Sequence, residues 1–289
     1  MKRVKNYLVI LAGLPRGGEG SWKTLYEQVV KNLDADLAIC TEDVIDKKLS
    51  LYSMADYLWL FKERENWENY YINNYSENSL NVFKKGKGAG LWESGMIHMA
   101  LKDMIHKNYL NVIKEYKYFI YARFDQFYTD YHPVLSGENI WIPEGENYYG
   151  INDRHAIVNS KFSNEFFNIC SFIESLNPEE LDDIYLNCET IFKMHLENSN
   201  LIKNVKRIKR FQFTSAALND FTRWRVPKYN LLIDKKIKIK YPDEFIEAVK
   251  NIKFLNLKLS NFSIKKFDMF LTYFYFQIMR TFGKLKRIF

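Results

Sequence analysis

The stretch VKNYLVILA (residues 4–12) runs straight into GLPRGGEG (residues 13–20). An apolar, partly β-branched run that meets a glycine-rich loop reads as a buried strand ending in a turn. Ser21 then caps a helix through Leu25, Val29, Val30 and Leu33, and ADLAIC (residues 35–40) reads as a second strand. Strand, loop, helix and strand within the first 40 residues make a βαβ unit. Such a unit predicts a mostly parallel, Rossmann-type sheet flanked by helices, an α/β fold.

Working outward, LYSMADYLWLF (51–61) reads as a helix with Leu51, Ala55, Leu58 and Trp59 on one side. Residues 64–90 are polar and rich in Asn and Tyr, and read as a long mobile loop of the kind that borders active sites. Leu91, Met96, Met99, Ala100, Met104 and Leu110 give a helical, core-facing stripe. YFIYA (118–122) is the next strand, and short strands are expected at 139–142 and 155–158. Helices follow over 163–176 and 178–196, then an edge strand within 201–213. The sheet-forming part ends near residue 230. We read residues 1–240 as one α/β domain and 241–289 as a separate segment.

The 289-residue chain is 47% hydrophobic and 17% aromatic, which excludes a disordered tail, a collagen-like chain and a disulfide-stapled miniprotein. Its net charge of +7 is localised: residues 250–289 hold nine Lys/Arg and one acid, and the rest of the chain has a balance of −1. A neutral body argues against nucleic acid as a partner, and the basic end points to an anionic one. Cys40, Cys170 and Cys188 are widely spaced, with no zinc-type cluster, and read as reduced buried thiols. The apolar residues before Pro15 are too few for a membrane span, and no small-residue cleavage site follows, so a cytoplasmic protein is expected.

Four stretches can carry chemistry. The 118–122 strand delivers Arg123 and Asp125 at its carboxyl end, the edge where open α/β sheets bind ligands. Asp125 there can hold a divalent cation, Mn²⁺ or Mg²⁺, that neutralises a diphosphate, and Arg123 matches phosphate oxygens; an ion pair closing the strand is the bland alternative. Asn152, Asp153, Arg154 and His155 stand between apolar segments, where polar groups are costly to bury unless hydrogen-bonded. Asp153 can orient sugar hydroxyls, and Arg154 can pair with phosphate or with Asp125; the alternative is a polar turn. Glu189 sits in an apolar-patterned helix as either a general base for an acceptor hydroxyl or a solvated acid. The loop at 13–24 lacks the phosphate-loop spacing, but its backbone N–H groups and Arg16 can meet a nucleotide, and it has a faint likeness to a sulfotransferase loop.

At the C-terminal end, Phe267, Phe270, Phe274, Ile278, Phe282, Leu285 and Phe289 fall along one helical face, and Lys265, Lys266, Arg280, Lys284, Lys286 and Arg287 supply charge. The apolar run Met269–Met279 is half the roughly 20 residues a span needs, so an amphipathic basic helix lying on an anionic leaflet is expected. A helix docked on its own domain is the alternative.

With these residues in view, the chain resembles bacterial and viral sugar transferases of surface-polysaccharide and lipopolysaccharide synthesis, of the GT-A-like type. Gly13 and Arg16, followed by DLAICT (36–41), are similar to that group's "GxxR … ADvF-x-T" opening. YARFD (121–125) is similar to its "R-x-R-x-D" strand end, and GINDRHA (150–156) to its "GG-I-N-D-R-x-A" stretch, with Tyr149 in place of one Gly. Glu189 falls where the group has a helical Glu. The likeness covers roughly residues 4–215. It implies transfer of a sugar, of the hexosyl class, from a nucleotide-sugar donor to a lipid-linked or polysaccharide acceptor in lipopolysaccharide or capsule synthesis. In that reading Gly13, Arg16, Arg123, Asn152 and Arg154 bind the donor, Asp125 holds the metal, and Asp153 and Glu189 are catalytic. The basic tail would keep the enzyme at the inner face of the membrane. A sulfotransferase-like enzyme using a phosphosulfate donor, and a non-catalytic membrane-associated binding module, are the competing readings.

Overall fold

The computed structural model describes residues 5–43, 46, 48–62, 66–87, 90–217, 229–252 and 264–285, with side chains to 281 in the last stretch. Along the chain come β1 (Tyr7–Ala12), α1 (Gly18–Leu25), β2 (Asp36–Glu42), α2 (Ser50–Ser53), β3 (Tyr57–Phe61), α3 (Glu68–Asn74), α4 (Glu77–Lys84) and α5 (Met96–Lys114). Next are β4 (Tyr118–Ala122), β5 (Gln126–Tyr128), β6 (Ile140–Pro143), β7 (His155–Asn159), α6 (Ser163–Phe167), α7 (Ile169–Ser175) and α8 (Cys188–Asn198). The chain continues with β8 (Val205–Ile208), β9 (Gln212–Ala217), β10 (Tyr229–Asn230), β11 (Ile237–Ile239), α9 (Pro242–Lys250) and α10 (Ile264–Leu285).

These elements form two compact units. The first comprises residues 1–14, 34–123 and 134–208. Its seven-stranded sheet has the order β3-β2-β1-β4-β7-β6-β8. Every neighbouring pair is parallel except the two that β7 makes, so one strand runs against six. This is the mixed α/β, mostly parallel, helix-flanked sheet that the opening βαβ pattern predicts. All six residues of β1 are buried, as a strand covered on both faces requires. One core joins Leu8, Ile10, Phe119 and Tyr121 of the sheet to Met99 of α5 and Phe166 of α6. Buried Asp103 ties α3 to α5: it accepts hydrogen bonds from the hydroxyls of Tyr70 and Tyr75, each at 2.5 Å.

The second unit comprises residues 15–33, 124–133 and 209–289. It holds an antiparallel sheet of order β10-β11-β9-β5 and the helices α1, α9 and α10. Phe127, Phe213, Phe245, Val249, Met269 and Phe276 make its core. Buried Arg210 and Glu244 pair at 3.3 Å, and Glu244 also accepts the Thr214 N–H at 2.6 Å.

Several expectations are corrected. Residues 57–61 form a strand rather than a helix: β3 pairs in parallel with β2, and only Trp59 is buried, stacked on Tyr109 at 4.3 Å. Among the described residues of 64–90, α3 and α4 stand in place of the expected long loop and bury Tyr70, Tyr71, Leu80 and Phe83. Ser21 lies inside α1 rather than capping it, and its hydroxyl meets that of Ser215 at 2.6 Å. The helix expected over 178–196 is a short 3₁₀ turn at Pro178–Leu181 and then α8, which Asn187 opens with a capping box. Strands continue to residue 239 in the second unit. The C-terminal helix is present as α10, with Asp268, Met269, Thr272 and Phe276 buried and Phe267, Phe274 and Ile278 exposed. The start of the first expected strand at Val4, residues Lys286, Arg287 and Phe289, and the side chains of Phe282, Lys284 and Leu285 lie outside the described residues.

Candidate active site

In the first unit, strand direction does the assembling. β1 and β4 are parallel, so Gly13 and Arg123, which follow them, leave the sheet at one rim. β7 is antiparallel to β4, with Ala122 opposite His155. The residues that precede β7 therefore arrive where those following β4 depart. Arg123 and the Asn152–Arg154 turn consequently share the carboxyl rim, and the loop after β6 (residues 144–150) joins them there. The Gly13 N–H is tied to the Cys40 carbonyl at 3.1 Å.

Asn152 shapes the turn: its side-chain oxygen accepts the Arg154 N–H at 3.0 Å. Asp153 and Arg154 are both buried. A carboxylate oxygen of Asp153 lies 3.0 Å from His98 Nε2 on α5. One turn further along α5 is Lys102, wholly buried, its ammonium 4.4 Å from the Phe192 ring centre and 5.2 Å from that of Tyr121. Arg154 reaches Glu146 at 3.6 Å and Glu189 at 3.7 Å. Sequence reasoning missed His98, Lys102 and Glu146. The available signal was two ionisable residues four apart, on one face of an otherwise apolar helix.

The charges set the ionisation. Burial pushes the Asp153 carboxyl up, but His98, Lys102 and Arg154 outweigh it and hold Asp153 well below the usual carboxylate range. Asp153 is ionised, because Arg154 keeps its charge at any ordinary pH. Burial pushes both His98 and Lys102 down from their ordinary values, against the raising pull of Asp153. Glu189 moves the other way. Burial, with the Asp153 charge adding to it, raises its carboxyl to about 7, while Arg154 and Arg123 oppose the shift. The rim thus carries one carboxylate fixed in its charged form and one poised near neutrality, which is how environments divide roles between two acids.

The backbone holds Glu189 against the 144–150 loop. The Ile151 N–H donates to the Glu189 carbonyl at 3.0 Å, and Asn187 donates to the Tyr148 carbonyl at 2.9 Å. An added Cβ at Gly150 would lie 2.0 Å from that Glu189 carbonyl oxygen, so no larger residue fits. Glu146, Tyr148 and Tyr149 adopt positive φ, a cost that loops pay at ligand sites. The Tyr149 ring is 81% exposed and lies 5.1 Å from that of Tyr185, also exposed. Gly150→Ala is expected to push the loop off α8 and lower stability by at least about 1–3 kcal/mol. Calorimetry checks it: a melting temperature equal to wild type would show that the loop has room to give.

In the second unit, the glycine-rich loop and Asp125 are neighbours. Gly17 has φ +93°, and an added Cβ there would sit 2.9 Å from the Phe124 carbonyl oxygen and 3.0 Å from Asp125 Cα. Arg16 is exposed, its carbonyl accepting from Trp22 Nε1 at 3.0 Å. Asp125 is buried, and its backbone carbonyl accepts the Ser215 N–H at 2.8 Å. Among the described residues no group of three or more His, Cys, Asp or Glu could hold a metal ion. One carboxylate does not make a resident metal site.

The first unit is therefore a mostly parallel α/β sheet, with one reversed strand and a charged, strained rim. No family model matches the chain, and no curated protein matches it. Among solved structures it is similar to PaToxG glycosyltransferase at 16% identity and TM-score 0.36, over 69% of this chain and 73% of that one. It is also similar to mouse xyloside xylosyltransferase 1 in its apo form, at 12% identity and TM-score 0.36, over 71% of this chain and 85% of that one. Neither likeness bears on the chemistry, which rests on the residues themselves. Among the described residues, no helix is long and apolar enough to cross a membrane.

Proposed function

We infer that this protein is a glycosyltransferase that moves a sugar from a nucleotide-sugar donor to a hydroxyl of a lipid-linked or polysaccharide acceptor. The observation that carries the reading is Glu189. It is a largely buried carboxyl with its pKa raised to about 7, in contact with Arg154 and placed at the rim where an α/β sheet binds its ligand. As the base, Glu189 takes the acceptor's hydroxyl proton. The acceptor oxygen bonds to the anomeric carbon as the bond from that carbon to the diphosphate breaks. Arg123 and Arg154 meet the diphosphate, and their charge stabilises it as it leaves. Asp153 and Asn152 orient the donor sugar. Exposed Tyr149 and Tyr185, beside the base, give an acceptor sugar a rigid apolar face with polar tips.

The resemblance to surface-glycan transferases assigns Arg16 to the nucleotide and Asp125 to a divalent cation, both residues of the second unit. Magnesium in particular keeps most of its ligands from phosphate and water. The same resemblance supports a hexosyl donor and a role in lipopolysaccharide or capsule synthesis, at the cytoplasmic face of the membrane.

A thermal-shift panel of UDP-, GDP- and CMP-sugars, with and without manganese, tests the reading, followed by assay of nucleotide release. One nucleotide-sugar class is expected to raise the melting temperature and to be turned over. A rise with a phosphoadenosine phosphosulfate donor alone would make the chain sulfotransferase-like. Silence across the panel would leave a non-catalytic module.

A further inference from the structure

Nine of the nineteen large apolar side chains exposed among the described residues fall between Tyr229 and Met279, all in the second unit. They come from two elements rather than one. On α10, Ile264, Phe267, Phe274 and Ile278 recur at helical spacing and are exposed, Ile264 by 76%. The second element is the hairpin between β10 and β11, whose tip presents Leu232 and Ile233, 42% and 50% exposed.

The tip is fastened to the helix. The Ile233 and Asp234 N–H groups donate to the Asp268 carboxylate at 2.8 and 2.7 Å, and the Leu232 N–H donates to Thr272 Oγ1 at 3.0 Å. Asp268 and Thr272 are both buried. This accounts for the single acid in the basic C-terminal stretch: it is spent on holding the hairpin, not left facing solvent. A groove of about 300 Å³ is lined by Tyr229, Leu231, Leu232, Lys235, Tyr275 and Phe276 of the two elements. Lys235 and Lys236 follow the apolar tip and are exposed. A cluster of this kind, on a chain whose last forty residues carry a balance of +8, is unlike an ordinary solvated surface.

We propose that the β10–β11 hairpin and helix α10 together form one docking surface for an anionic phospholipid membrane, with Leu232, Ile233 and the α10 stripe entering the headgroup boundary and Lys235 and Lys236 meeting lipid phosphates. Charge complementarity selects the occupant. Apolar side chains flanked by lysines match an anionic interface, whereas a protein groove or a second copy of this basic face would have to accommodate the same positive charge. The helix lies in the interface and does not cross it. This inference stands apart from the transferase reading. A chain silent to every donor that still binds vesicles would end that reading and leave this one intact.

The test is flotation of the full chain with phosphatidylcholine vesicles, with and without phosphatidylglycerol. Binding is expected only where phosphatidylglycerol is present, and it should weaken as salt rises. The double variants Leu232→Ser/Ile233→Ser and Phe274→Ser/Ile278→Ser change exposed positions and should melt like wild type. Each should lower vesicle partitioning by roughly tenfold or more. Lys235→Glu/Lys236→Glu should weaken binding at low salt and change little at high salt. Wild-type binding by the hairpin variant would overturn the proposal, because the surface would then be the helix alone. Equal binding to neutral vesicles would overturn it too. So would a chain that ignores vesicles and elutes as a dimer, since the occupant would then be a second copy.

Discussion

Glu189→Gln is expected to reduce transfer by about 10²–10⁴-fold while donor-induced thermal stabilisation persists, because it removes a proton acceptor and little volume. In the wild-type protein the transfer rate should rise as pH passes through about 7, the range in which Glu189 loses its proton. The same substitution has a stability signature of opposite benefit. The folded state holds the Glu189 proton more tightly than the unfolded chain does, whose Glu titrates near 4.5. Unfolding between those values releases a proton, so stability falls as pH rises from about 4.5 to about 7, and above that the whole cost of the buried charge remains. A shift of that size corresponds to on the order of 3 kcal/mol. Gln carries no such cost. Glu189→Gln should therefore melt higher than wild type above pH 7 and nearly level with it in acid, a gain in stability at the expense of function. Retained turnover, or a melting difference that does not depend on pH, would remove Glu189 from the role of base.

Asp153→Asn should strike harder at the fold. Asp153 is the buried negative charge that faces His98, Lys102 and Arg154; its loss removes the acid beside His98 and Lys102 and leaves Arg154 only Glu146 and Glu189. Removing one partner from a buried charged group commonly costs about 3–5 kcal/mol. The loss should be greatest in acid, where His98 and Lys102 hold their protons. There is also a readout that simple destabilisation would not produce. The Asp153 charge is one of the two causes that raise Glu189, so with Asn in its place the pH midpoint of any residual activity should move below 7. An unmoved midpoint would uncouple the two carboxyls.

The sheet was legible because β1 and its loop present an unbroken apolar run followed by glycines, and only a strand ending in a turn explains both. β3 was not. LYSMADYLWLF carries apolar residues at spacings that suit either period, and the deciding fact, that Leu58 and Leu60 face outward from an edge strand, is tertiary. The second sheet escaped notice because β5, β10 and β11 are three, two and three residues long, too short to show alternation. At the rim, Asn152, Asp153 and Arg154 stood out as polar residues between apolar strands. His98 and Lys102 did not, because ionisable residues on a helix are ordinarily solvated. Lys102 is buried because the aromatic rings of Tyr121, Phe166 and Phe192 close over its ammonium, and His98 faces Asp153.

The reversed direction of β7 has a consequence for how this chain can vary. Pleated side chains alternate sides, and Ala122 is locked opposite His155. Inserting or deleting a single residue between Asn152 and His155 would either turn the following strand over or drag the acid and the guanidinium out of place. Natural variants of this protein should therefore differ freely in length on the far side of the sheet, and keep the count of residues from Asn152 to Asn159 constant.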